Sequence, residues 1–87
     1  MSHAKKRGRL EIIYCILKSL PDLKSHVLQK SNLSCKAMYS YLDWLEQRGM
    51  IMHDEYNMYH ITMKGGDILL KLRVLFSDLQ MEVRVFE

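Results

Sequence analysis

The feature that most limits how this chain can fold lies between Ser25 and Arg48, where it reads SHVLQKSNLSCKAMYSYLDWLEQR. A short amphipathic segment, residues 25–30, meets Ser31-Asn32-Leu33, and a longer amphipathic segment, residues 34–48, follows. Asparagine tolerates the left-handed backbone that a tight turn between helices needs. Ser25 and Ser34 stand where helix N-caps belong, and Gly49 stands where a helix stops. With about 100° per residue, Met38, Tyr41, Leu42 and Leu45 share one face of the longer helix. Lys36, Ser40, Asp43 and Gln47 occupy the opposite face, and every one of them is polar. Tyr39 and Trp44 lie on its two flanks. The rest of the chain must therefore bury one side of this helix and leave the other in water.

The flanking segments supply the means. Leu10, Ile13, Leu17 and Leu20 recur at helical steps, and Ile12 and Ile16 widen the stripe, so a first helix over 10–20 is expected to be covered on more than one side. Pro21 ends it, because the residue before proline is pushed out of helical geometry. Met50 to His53 and Met58 to Ile61 read as two short strands around a polar Asp54-Glu55-Tyr56-Asn57 tip. A hairpin placed after two helices and a turn is a wing. Thr62 then caps a last helix in which Leu69, Leu72, Phe76, Leu79, Val83 and Phe86 follow at steps of 3, 4, 3, 4, 3. Burying such side chains stabilises by roughly 1.5–3 kcal/mol each. The first half of this helix, to about Leu72, is expected to fold back on its own domain. The second half predicts an antiparallel homodimer through that seam.

The expected fold is thus mainly α with a small β-hairpin, a winged helix-turn-helix with a long C-terminal dimerisation helix. It divides into a basic arm (1–9), the winged helix-turn-helix domain (10–62) and a coiled-coil dimerisation helix (63–87).

Net charge is only +3, but it is unevenly spread. Residues 1–36 hold eight Lys/Arg against two acids, whereas residues 37–87 hold five against eight. A basic first part favours polyanions as partners. The expected partner is double-stranded DNA, with the third helix in the major groove. Lys36, Tyr39, Ser40 and Gln47 are the candidate base contacts. Lys5, Lys6, Arg7, Arg9, Lys24 and Lys30 are the candidate phosphate contacts, with Ser25 and Ser34 helping through helix N-termini.

Other chemistry finds little footing. His3, His26, His53 and His60 with Cys15 and Cys35 show no metal-ligand spacing. His53 and His60 could face each other across the hairpin, but the plainer reading is two surface histidines. Both cysteines are read as reduced and partly buried. Gly65-Gly66 is followed by Asp67, without the lysine and spacing of a phosphate-binding loop. No catalytic group, metal, cofactor or small-molecule ligand is expected. No apolar run reaches the length of a membrane span and no signal-peptide core follows the basic start, so a cytoplasmic, nucleoid-associated location is expected.

Several short pieces together resemble a known family. They are Arg9-Leu10-Glu11-Ile12-Ile13, Ser31-Asn32-Leu33-Ser34, Tyr41-Leu42 with Leu45, Gly49-Met50-Ile51, and Tyr59-His60-Ile61-Thr62 with Lys64-Gly65. In this order and spacing the chain resembles the small archaeal winged-helix DNA-binding proteins that carry a C-terminal coiled-coil dimerisation helix. That resemblance implies a homodimer, DNA binding of a sequence-specific or chromatin type, and no catalysis. The chain departs from the pattern at Cys35, where an aromatic residue is common. It departs again at the wing tip, where Asp54 and Glu55 replace basic residues that would attract phosphates. A third departure is the second glycine, Gly66, at a cost of roughly 1 kcal/mol relative to alanine. The function expected is that of a dimeric transcription regulator. The alternatives are an architectural chromatin protein with little sequence preference and a winged-helix module that binds protein.

Overall fold

A computed structural model describes residues 8–83. Four helices and three short strands follow in the order α1 (Arg9–Ser19), β1 (Asp22–Leu23), α2 (Lys24–Ser31), α3 (Cys35–Gln47), β2 (Ile51–His53), β3 (Met58–Ile61) and α4 (Met63–Asp78). The fold is α+β, as the periodicities predict, with one addition. The sheet has three antiparallel strands in the order β1-β3-β2. Asp22 pairs with Tyr59 and Leu23 with Met58, so the link between the first two helices becomes an edge strand of the wing. Such a two-residue strand lies below any sequence pattern. The wing itself pairs Ile51 with Ile61, Met52 with His60 and His53 with Tyr59.

Helix α1 is the centre of the molecule. Ile12 to Leu17 are all buried, in an unbroken run that leaves no solvent side over nearly two turns. Its start is held by the Glu11 carboxylate, which accepts from the Gly8 N–H at 3.0 Å. Arg9, assigned to the arm expected over residues 1–9, is already helical, and residues 1–7 lie outside the described residues. Leu20 is extended ahead of Pro21, which stops the helix. Cys15, Val27, Met38, Leu42, Leu45 and Ile51 complete the fully buried set around Ile16 and Leu17, and Leu33 packs against the core from the turn.

Helix α4 departs most from expectation. It ends at Asp78 instead of continuing to residue 87. Gln80 adopts a left-handed conformation (φ 54°), the Met81 N–H donates to the Phe76 carbonyl at 2.8 Å, and the Gln80 N–H donates to that of Ser77 at 3.0 Å. These are the two bonds of a Schellman stop. The chain then turns back, and Val83 packs against the core. The seam is accordingly divided. Leu72 and Phe76 are buried in their own domain, Leu69 packs beside them, Leu79 is exposed, and Phe86 lies outside the described residues. The Phe76 ring meets Tyr14 edge-on at 5.4 Å and 89°. The reason is α1. A helix that is apolar all round needs cover on every side, and α4 supplies one of them. Leu72 and Phe76 therefore do not form the intermolecular seam assigned to them.

The junction under the wing explains one glycine and not the other. A Cβ at Gly65 would collide with the Met50 carbonyl oxygen and with the Ile61 side chain. At Gly66 a Cβ would meet open space, so close packing does not account for it.

Candidate nucleic-acid interface

The turn before α3 forms as its sequence predicts. Asn32 sits at φ 60°, and the Ser31 hydroxyl accepts from the Leu33 N–H at 3.1 Å while donating to the Leu28 carbonyl at 2.9 Å. Ser34 accepts from the Ala37 N–H at 3.1 Å, which caps α3. Ser25 does not cap α2: the N-cap position is Leu23, and Ser25 lies exposed one residue inside the helix. At the far end of α3, Gly49 (φ 75°) and Met50 close a second Schellman stop, with the Met50 N–H donating to the Leu45 carbonyl at 3.0 Å.

With Met38, Leu42 and Leu45 buried, the other side of α3 turns to solvent. Lys36, Tyr39, Ser40, Asp43 and Gln47 are all exposed there. Each flank carries a cation stacked on an aromatic ring. Lys24 Nζ from α2 lies 4.1 Å from the Tyr39 ring centroid, and the Arg48 guanidinium lies 4.6 Å from that of Trp44. The arrangement is a polar strip about three turns long between two positively charged borders. Arg48 was missed as a site residue in the sequence, although its spacing of four from Trp44 on a helix would have revealed it.

The remaining candidates divide. Arg9 is exposed at the start of α1. Lys30 is held 2.6 Å from Asp22, and this contact is the main reason the Asp22 carboxyl lies below its ordinary range. A lysine so neutralised is a weaker grip on phosphate than its position in the sequence suggests. The Ser34 hydroxyl is engaged as a cap. Lys5, Lys6 and Arg7 lie outside the described residues.

Of the two acids at the wing tip, Asp54 has local partners and Glu55 is exposed. Asp54 Oδ1 accepts from the Tyr56 N–H at 2.9 Å and from the Met58 N–H at 3.1 Å, and so builds the hairpin turn. Its other oxygen lies 3.1 Å from His60 Nε2. That histidine contact is the largest of the influences that hold the Asp54 carboxyl below the usual carboxylate range. Glu46 of α3 lies 2.7 Å from His53 Nδ1. Hence His53 and His60 do not face each other: each is turned to its own carboxylate. The Tyr59 phenol is pushed up by burial first, then by the Glu46, Asp43 and Tyr39 charges that reach it from α3.

Two further links set the wing against the helices. The Lys24 N–H donates to the Asn57 carbonyl at 3.1 Å. Lys64 Nζ donates to the Arg48 carbonyl at 2.7 Å. Between α2, α3 and the wing tip lies a shallow cleft of about 280 Å³ that includes Lys24, Tyr39, Tyr56 and Asn57. Among the described residues no three His, Cys, Asp or Glu side chains gather as metal ligands. Cys15 is buried, whereas Cys35 is exposed instead of partly buried, and no disulfide joins them. No helix among the described residues is long and apolar enough to cross a membrane.

Comparison with known proteins gives two likenesses. A family model described as winged helix-turn-helix matches residues 6–80. Among solved structures, the crystal structure of Sso10a-2, a DNA-binding protein from Sulfolobus solfataricus, superposes with a TM-score of 0.73 at 24% identity, over 85% of this chain and 83% of that one. No curated protein matches the chain.

Proposed function

This chain belongs to the winged helix-turn-helix family, and from that premise we propose that it binds double-stranded DNA with α3 in the major groove, as a dimeric transcription regulator without enzymatic activity. The observation that carries the reading is the outward face of α3. Lys36, Tyr39, Ser40 and Gln47 are exposed together on it, and Lys24 and Arg48 border it on either side. Lysine can donate to guanine O6 and N7, and serine to either base type, while the bordering cations suit the phosphates along a groove. The structural likeness to a DNA-binding protein is consistent with this reading. A nucleoid-associated location follows from it.

Homodimerisation is proposed through the outward side of α4, not through Leu72 and Phe76. Leu70 and Val74 are about half exposed there, and Met63 is 94% exposed. Together these three side chains form an apolar stripe along the helix that a second copy would cover.

The decisive experiment is fluorescence anisotropy with generic duplex DNA at low salt. The wild type should bind, with an affinity that falls as salt rises. Lys36→Ala should weaken it, and Lys24→Ala, which removes a phosphate contact, should weaken it and lower the salt slope by about one. Absence of binding to any duplex would sink the reading and turn attention to a protein partner. Sedimentation of the wild type against Leu70→Glu/Val74→Glu tests the dimer, which the double variant should dissociate.

A further inference from the structure

Among the described residues four acids have a basic partner, whereas Glu11, Asp43, Glu55, Asp78 and Glu82 have none. Asp22 lies 2.6 Å from Lys30, Glu46 2.7 Å from His53, Asp54 3.1 Å from His60 and Asp67 3.3 Å from Lys71. Asp43 has no such partner among the described residues, and it stands exposed in the middle of the outward face of α3. It is one turn from Ser40 and from Gln47. The nearest cation on the same face, Lys36, is seven residues away, roughly 10 Å along the axis, which is beyond an ion pair. Its charge is felt on the wing side, where it helps to raise the Tyr59 phenol.

An unpaired carboxylate in the centre of a surface that meets a polyanion weakens every encounter alike, unless a donor receives it. A carboxylate only accepts. In the major groove, guanine presents acceptors, and thymine an acceptor and a methyl group. Adenine presents an amino group beside an acceptor, whereas cytosine presents the amino group alone. Cytosine is therefore the base over which an aspartate is best received.

We infer that Asp43 is a specificity-determining residue, selecting a cytosine at one step of the bound site and rejecting the other bases by repulsion. This rests on the DNA-binding reading and deepens it. A protein indifferent to sequence gains nothing from such a residue, so Asp43 separates a sequence reader from an architectural binder.

The test is selection from a random duplex pool with wild type, Asp43→Ala and Asp43→Asn, followed by anisotropy on the selected and scrambled duplexes. Asp43 is exposed, and thermal melting confirms that each variant is folded. The wild type should enrich a site in which one position demands cytosine. Asp43→Ala should lose the preference at that position alone, with discrimination there falling about tenfold or more, and should bind scrambled duplex more tightly. Asp43→Asn should move the preference towards adenine, which asparagine can bond through two atoms. The inference is overturned if Asp43→Ala keeps the same base preferences throughout, or if the wild type binds duplex without enriching any base. The latter result leaves the DNA-binding reading intact, whereas a wild type that binds no duplex at all overturns both.

Discussion

Helices α3 and α4 are built by the same local rules and put to opposite uses. Each begins on a hydroxyl cap: Ser34 accepts from Ala37, and Thr62 accepts from the Gly65 N–H at 3.1 Å. Each ends on a left-handed residue that closes a Schellman stop, Gly49 in one and Gln80 in the other. Each buries one apolar face against the core around α1. They differ on the side turned away. On α3 it is a polar strip flanked by Tyr39 and Trp44, and on α4 it carries Met63, Leu70 and Val74. The lesson is that a buried face specifies the fold while the face left over specifies the partner. A polar strip can exchange hydrogen bonds with another molecule, and an apolar one asks for cover.

The comparison breaks most sharply where the two sides of α4 are exchanged. Phe76→Ala should cost about 3–5 kcal/mol, because the ring is buried against Tyr14 and leaves a cavity. Chemical denaturation should show it, and a change below about 1 kcal/mol would mean that Phe76 is not a core residue. Removing either cap should have a smaller effect of similar size in the two helices. Ser34→Ala and Thr62→Ala should each cost about 1 kcal/mol. Unequal losses would show that Thr62 also matters through its bond to the Gly49 carbonyl. Gly66→Ala should stabilise by up to about 1 kcal/mol, since it meets open space on a helix. Gly65→Ala should destabilise, because the obstacle is backbone. The smallest effect is a pH dependence. The Asp22 carboxyl lies below its ordinary value in the folded state, chiefly through Lys30. Its contribution to stability is thus fully present above the unfolded value and is lost as pH falls through the lowered folded one. Asp22→Asn should lower the neutral-pH plateau in thermal melts and leave the acid end nearly unchanged, so that the acid limb flattens.

Much of this was legible because it is written in short-range chemistry. Ser34, Gly49 and Thr62 mark helix ends by residue type, and the steps of Met38, Leu42 and Leu45 mark a buried face. The end of α4 was not legible. Gln80 is not a residue that announces a left-handed turn, and the heptad steps continue past it. A seam of leucines also reads the same whether its partner is a second copy or α1. Asp54 of the wing misled in another way. Asp54 looked like a departure from a basic wing, when its carboxylate is spent on the two backbone N–H groups of its own turn. Lys30 looked available until Asp22, eight residues earlier, was seen beside it.

The two-residue strand β1 has a mechanical consequence. Through its pairing with β3 and the bond from Lys24 to Asn57, the start of α2 is stitched to the wing tip. The other end of the wing is stitched to α3 through Thr62 and Lys64, which hold the carbonyls of Gly49 and Arg48. Helix α3 is thereby bonded to the base of the wing at its C-terminal end, and α2, which precedes it, is bonded to the wing tip. A docking element already held at its working angle gives up less orientational freedom when it meets a partner. Cutting the short strand, for example with proline at Leu23, would leave the outward face of α3 chemically unchanged and loosen its aim.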